Sequence, residues 1–87
     1  AGVLIQPNAV IEENVLINTN SSVDHDSLIG SNTNIAPGVT ICGSCHIGKN
    51  VFIGAGAIII NGISIGDNSF IRAGSVVTEN LPKNHKF

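Results

Sequence analysis

The chain has 87 residues, 43% of them hydrophobic but only 3% aromatic, with no Trp, Tyr or Met, and 11% charged at a formal net charge of −2. That length allows one domain at most, and the low, slightly acidic charge gives no footing for a nucleic-acid or membrane-surface partner. No apolar run approaches the ~18 residues of a membrane span, and no basic region precedes an apolar one at the start, so the expected compartment is the cytoplasm.

The apolar content is Ile, Val, Leu and Ala, which suits strands better than helices. In chain order it forms one unbroken hexad. Every sixth residue from Ile5 through Ile11, Ile17 and Val23 to Val77 is Ile or Val. Four residues after each stands a small or aliphatic residue, from Ala9 and Val15 to Ser75 and Leu81. The fourth position of each hexad holds Asn, Gly, Asp or Ser, from Asn8 and Asn14 through Asp26, Gly38 and Ser44 to Gly74 and Asn80. Gly, Asn and Asp tolerate left-handed backbone best. Five extended residues and a sharp corner are therefore expected in each hexad, which builds a prism rather than a flat sheet.

A longer period lies over the first. Asn14, Asn32, Asn50 and Asn68 are 18 apart, as are Gly30, Gly48 and Gly66. Eighteen residues are three hexads, so one coil has three sides. The pattern predicts an all-β fold, a parallel β-helix of triangular section with about four coils. Residues 18 apart then stack roughly 4.8 Å apart. A helix would need apolar residues at a 3.6 period, and an ordinary sandwich would not hold one phase through the whole run. Residues 1–81 are expected to form the solenoid and 82–87 a tail that leaves the hexad. Both ends are expected to expose strand edges and apolar side chains, to be covered by other segments of a longer protein.

The candidate chemistry begins at His25, one residue before a corner. Its stack is Pro7, His25, Gly43, Asn61 and Glu79. A glycine at position 43 leaves space beside the imidazole and a backbone N–H near it. Those are two needs of acyl transfer: a base that titrates near neutral pH and a donor for an oxyanion. Asp24 and Asp26 flank the histidine, and either is able to accept from its second ring nitrogen, Asp26 being the better placed. On spacing alone, His25 reads more readily as an exposed corner residue with no role, and Asp26 also reads as a corner former. Cys42 and Cys45 make a C-x-x-C string, but they point to opposite faces of one strand, so no shared metal or disulfide is expected.

The phrases Asn18-Thr19, Val23-Asp24-His25-Asp26, Ile29-Gly30, Ile35-Ala36-Pro37-Gly38, Gly43, Ile47-Gly48 and Ala73-Gly74-Ser75-Val76-Val77 resemble the hexapeptide-repeat acyltransferases. The resemblance covers nearly the whole chain. It is nearest to the sialic acid O-acetyltransferase and UDP-4-amino-sugar N-acetyltransferase group. It implies a left-handed winding, against the usual crossover rule, and acetyl-CoA as cosubstrate with no metal. It also implies a sugar or nucleotide-sugar acceptor for surface glycan, and a homotrimer whose groove lies between subunits. It further implies His25 as catalytic base supported by Asp26, with Gly43 as the donor to the thioester carbonyl. Ala55 and Ala73 would line the pantetheine groove. Asn34 stands where the group often carries a second histidine that touches acetyl-CoA. Two other readings remain: a trimerising scaffold without turnover, and an acetyltransferase for an amino acid or antibiotic. The zinc-dependent carbonic anhydrases of this fold need three histidines, and the coils hold only His25 and His46.

Overall fold

A computed structural model of the chain describes residues 2–87. All regular pairing among these residues is parallel, and it falls in three sheets that are the three faces of a prism. With strands numbered in chain order, the first face stacks β1 (Leu4–Ile5), β4 (Ser22–Val23), β7 (Thr40–Ile41), β10 (Ile58–Ile59) and β13 (Val76–Val77). The second face stacks β2 (Val10–Ile11), β5 (Leu28–Ile29), β8 (His46–Ile47) and β11 (Ser64–Ile65). The third stacks β3 (Leu16–Ile17), β6 (Asn34–Ile35), β9 (Phe52–Ile53) and β12 (Phe70–Ile71).

The register is the one the sequence predicts. Val23 pairs with Ile41, Ile29 with Ile47 and Ile35 with Ile53, each 18 residues on. The extended run is shorter than expected, with two paired residues per hexad rather than five. The remaining four residues make the turn, because a change of direction from one face to the next consumes more chain than one corner residue.

The second residue of each strand faces the axis. Val23, Ile29, Ile35, Ile41, Ile53, Ile59, Ile71 and Val77 are wholly buried. Each such burial contributes roughly 1.5–3 kcal/mol, which replaces the large core that this length does not permit. The corners adopt positive φ at Asn8, Asn14, Asn20, Asp26, Asn32, Ser44, Asn50 and Asn68, and at Gly38, Gly56, Gly62 and Gly74.

Some of the inward slots are polar, and their hydroxyls fasten one coil to the next. Ser21 Oγ donates to the Ala36 carbonyl at 2.7 Å and accepts from the Val39 N–H at 3.1 Å. Ser27 and Thr33 repeat this with Cys42/Cys45 and Gly48/Val51. Each buried hydroxyl is thus satisfied twice, which its desolvation requires. Cys45 stacks above Ser27 in the same slot, and its thiol lies 3.0 Å from the Ile60 carbonyl.

The two ends differ. At the first coil Ile5 is 45% exposed, whereas Ile71, Val77 and Leu81 at the other end are buried. The expectation of a tail that departs at residue 82 meets a different arrangement. Leu81 pairs with Ile65 and Lys86 with Phe70, each 16 residues away rather than 18. The chain therefore keeps winding with one corner shortened by two residues. Asn80 is the expected corner without positive φ, and the next left-handed corner falls at Asn84, in line with Asn68. The shortening leaves the Ser64 N–H without a backbone acceptor, and Asn80 Oδ1 fills the place at 2.8 Å. Leu81 then covers the axis in the slot of an inward Ile.

Candidate active site at the first corner

The corner between the first and second faces carries His25. The chain reaches it from β4, and Asp24 is anchored there by its N–H to the Ile41 carbonyl at 2.8 Å. Asp26 makes the left-handed turn at φ 59°. The same residue holds the ring: Asp26 Oδ2 lies 3.1 Å from His25 Nδ1, with both side chains a little over half exposed, at 55% and 56%. The two single-residue readings of Asp26, corner former and histidine partner, are therefore both realised in one residue.

A carboxylate on Nδ1 favours the neutral tautomer with the proton on Nδ1, which leaves Nε2 as the free lone pair. That atom faces Gly43 one coil above. A Cβ built on Gly43 would stand 2.7 Å from Nε2 and 2.8 Å from Cε1. Gly43 has no positive φ, so its lack of a side chain serves close approach rather than backbone freedom. Its N–H has no protein acceptor among the described residues. The His25 carbonyl accepts from the Ser44 N–H at 2.9 Å, which binds the two coils at the site itself. Ser27, two residues on, bridges the same coils through Cys42 and Cys45. An imidazole and an uncommitted amide N–H are thus fixed against one another by the coil stack.

The other candidate residues lie elsewhere. Ala55 and Ala73 stack on the corner between the third and first faces, where the Gly74 N–H donates to the Ala55 carbonyl at 2.8 Å. Both are exposed, in line with Thr19 and Pro37. Within one chain this edge and the His25 edge are separated by the whole width of the first face. Asn34 opens β6 on the third face, half-buried and in register with Leu16 and Phe52. The structure brings His25, Asp26 and Gly43 together and leaves Asn34, Ala55 and Ala73 apart from them.

Cys42 and Cys45 are both free thiols, the first half-buried and the second buried. Burial pushes the Cys45 thiol above its ordinary range, which makes it a structural rather than a reactive group. Among the described residues, no three His, Cys, Asp or Glu side chains converge on one point. One role that spacing did not separate is that of Asp24, whose Oδ1 accepts from the His25 backbone N–H at 2.7 Å.

The repeating coil matches known proteins at two levels. Residues 8–43 and 44–79 each match the bacterial transferase hexapeptide (six repeats) family, and the chain belongs to that family. Among solved structures it is similar to the acetyltransferase domain of PglB from Neisseria gonorrhoeae in complex with acetyl coenzyme A. The identity there is 30% and the TM-score 0.97, over 99% of this chain and 42% of that one. It is also similar to PerB from Caulobacter crescentus in complex with CoA and GDP-perosamine, at 26% identity and TM-score 0.73, over 94% and 48%. A third likeness is to the serine acetyltransferase of N. gonorrhoeae in complex with serine, at 31% identity and TM-score 0.76, over 98% and 36%. The chain thus spans less than half the length of each of these. No curated protein matches the sequence.

Proposed function

We propose that the chain is the acyl-transfer part of an acetyl-CoA-dependent acetyltransferase, which moves an acetyl group to an amine or hydroxyl of a sugar or nucleotide sugar for surface glycan. The observation that carries this reading is the seating of His25 Nε2 over Gly43, with Nδ1 held by Asp26. The likeness to a domain that binds acetyl coenzyme A and to a protein that binds CoA with GDP-perosamine supports the substrate classes.

In this mechanism neutral His25 takes the proton of the acceptor N–H or O–H at Nε2 while the acceptor attacks the thioester carbonyl. Asp26 stabilises the imidazolium that forms. The Gly43 N–H donates to the oxyanion of the tetrahedral intermediate. Collapse breaks the C–S bond, and the CoA sulfur takes the proton from His25. Ala55 and Ala73 would border the pantetheine arm, since small side chains keep that edge open, and Asn34 would offer an amide donor to the same ligand. Because the two edges are apart in one chain, the complete site needs a neighbouring copy, and a homotrimer in the cytoplasm is the proposed working state.

The serine acetyltransferase likeness supports a second acceptor class, a small amino acid. The test is a titration of acetyl-CoA against the chain and against His25→Ala, with oligomer mass measured alongside. Equal binding by both trimers with transfer or slow hydrolysis by the parent alone supports the reading. A folded trimer that binds no acetyl-CoA at millimolar ligand overturns it in favour of a scaffold. A panel of amino sugars, maltose and serine separates the acceptor classes.

A further inference from the structure

Two carboxylates flank His25, and the structure gives them different partners. Asp26 takes the ring, while Asp24 Oδ1 takes the backbone N–H at 2.7 Å. On the same stack of corners the N–H groups of Gly43 and Asn61 have no protein acceptor among the described residues, and Pro7 has none to give. Where this hexad position is bonded elsewhere, the acceptor comes from another coil: Glu12 Oε1 for the Ser31 N–H at 3.1 Å, and Asp67 Oδ1 for the Lys49 N–H at 2.8 Å. His25 alone, among the described residues, takes its acceptor from the residue just before it.

The geometry that results is closed on both sides. Asp24 is tied into the sheet by its N–H to the Ile41 carbonyl at 2.8 Å, and the His25 carbonyl is tied to the Ser44 N–H at 2.9 Å. With its amide also held, residue 25 keeps only its side-chain torsions free. The imidazole position is then set by two contacts, Nδ1 to Asp26 and the ring over Gly43.

We propose that Asp24 is a positioning residue for His25: its carboxylate fixes the His25 amide so that Nδ1 falls to Asp26 and Nε2 faces the space above Gly43. The functional consequence rests on the acetyl-transfer reading, but the geometry does not. The conservative variant Asp24→Asn keeps an oxygen acceptor in the same place, whereas Asp24→Ala removes it.

The experiment combines imidazole ¹⁵N spectra, recorded where His25 is neutral, with amide exchange and acetyl-transfer kinetics on the whole chain. The parent and Asp24→Asn are expected to show the Nδ1–H tautomer. Asp24→Ala is expected to mix the two tautomers, with kcat about tenfold lower, KM for acetyl-CoA within about twofold and an unchanged melting temperature, as misplacement of a base predicts. Parent-like tautomer and kcat in Asp24→Ala overturn the proposal, as does an Asp24→Asn variant as impaired as Asp24→Ala, since charge rather than the acceptor would then act. In the parent itself, a His25 N–H that exchanges as fast as those of Gly43 and Asn61 also overturns it, whatever the variants do. A tautomer change in Asp24→Ala from a chain that transfers no acetyl group sustains the positioning role and sinks the acetyl-transfer reading alone.

Discussion

Gly43 lies directly against the imidazole of His25, so that a single methyl group at position 43 would stand 2.7 Å from Nε2. The backbone there would accept alanine, since φ is not positive. Gly43→Ala should therefore fold and melt near the parent, while its ring is pushed off the Asp26 contact. A displacement of about 1 Å costs on the order of 100-fold in kcat. Steady-state kinetics beside a melting curve check this, and undiminished turnover would remove Gly43 from the site.

The Asp26 carboxylate does two jobs, the left-handed corner and the Nδ1 contact. Asp26→Asn keeps the corner, because Asn suits positive φ, but loses the charge that stabilises an imidazolium. Transfer should fall about tenfold or more with little change in stability. His25→Ala should fall by roughly 10²–10⁴, the usual share of a general base, with acetyl-CoA binding retained. Equal rates in the parent and both variants would leave the corner a purely structural feature.

Ser27 fastens the coil of His25 to the coil of Gly43. Its hydroxyl donates to the Cys42 carbonyl at 2.8 Å and accepts from the Cys45 N–H at 3.0 Å. Ser27→Ala strands both buried groups, at a cost of about 1–3 kcal/mol. For a domain of this size each kcal/mol lowers Tm by roughly 4–8 °C. Thermal unfolding that matches the parent would mean that water or a relaxed backbone supplies the missing partners.

Ser44 holds φ 58° although serine has no special tolerance for it. Asparagine takes the left-handed corner at Asn8, Asn14, Asn20, Asn32, Asn50 and Asn68, so Ser44→Asn should raise stability by about 0.5–1 kcal/mol, the scale of relieved left-handed strain. Denaturant midpoints compare the two proteins at unchanged m-value, and a lower midpoint would show that serine makes a contact worth more than the strain.

Burial raises the Cys45 thiol above its ordinary range, which lowers the thiolate fraction near neutral pH and raises it only in alkali. Cys42 should accordingly react with a thiol reagent at neutral pH well before Cys45, which waits for unfolding. Mass spectrometry of partly labelled chain reads the order directly. Cys45 labelled first would contradict the inward placement of that slot.

The sequence by itself determined the period, the stacking columns and the corners. It could do so because every coil makes the same contacts between residues 18 apart, and each inward Ile selects the same register. The pairing of His25 with Gly43 followed from that arithmetic. The separation of the Ala55 and Ala73 edge from the His25 edge was legible as well, because their columns fall on different corners of a three-sided coil. Tertiary structure alone decided two things. The division between Asp24 and Asp26 depends on side-chain torsions at one corner, and periodicity is blind to torsions. The seating of Leu81 over Ile65, with Asn80 replacing a lost backbone acceptor, departs from the repeat, and a departure has no column to be read from.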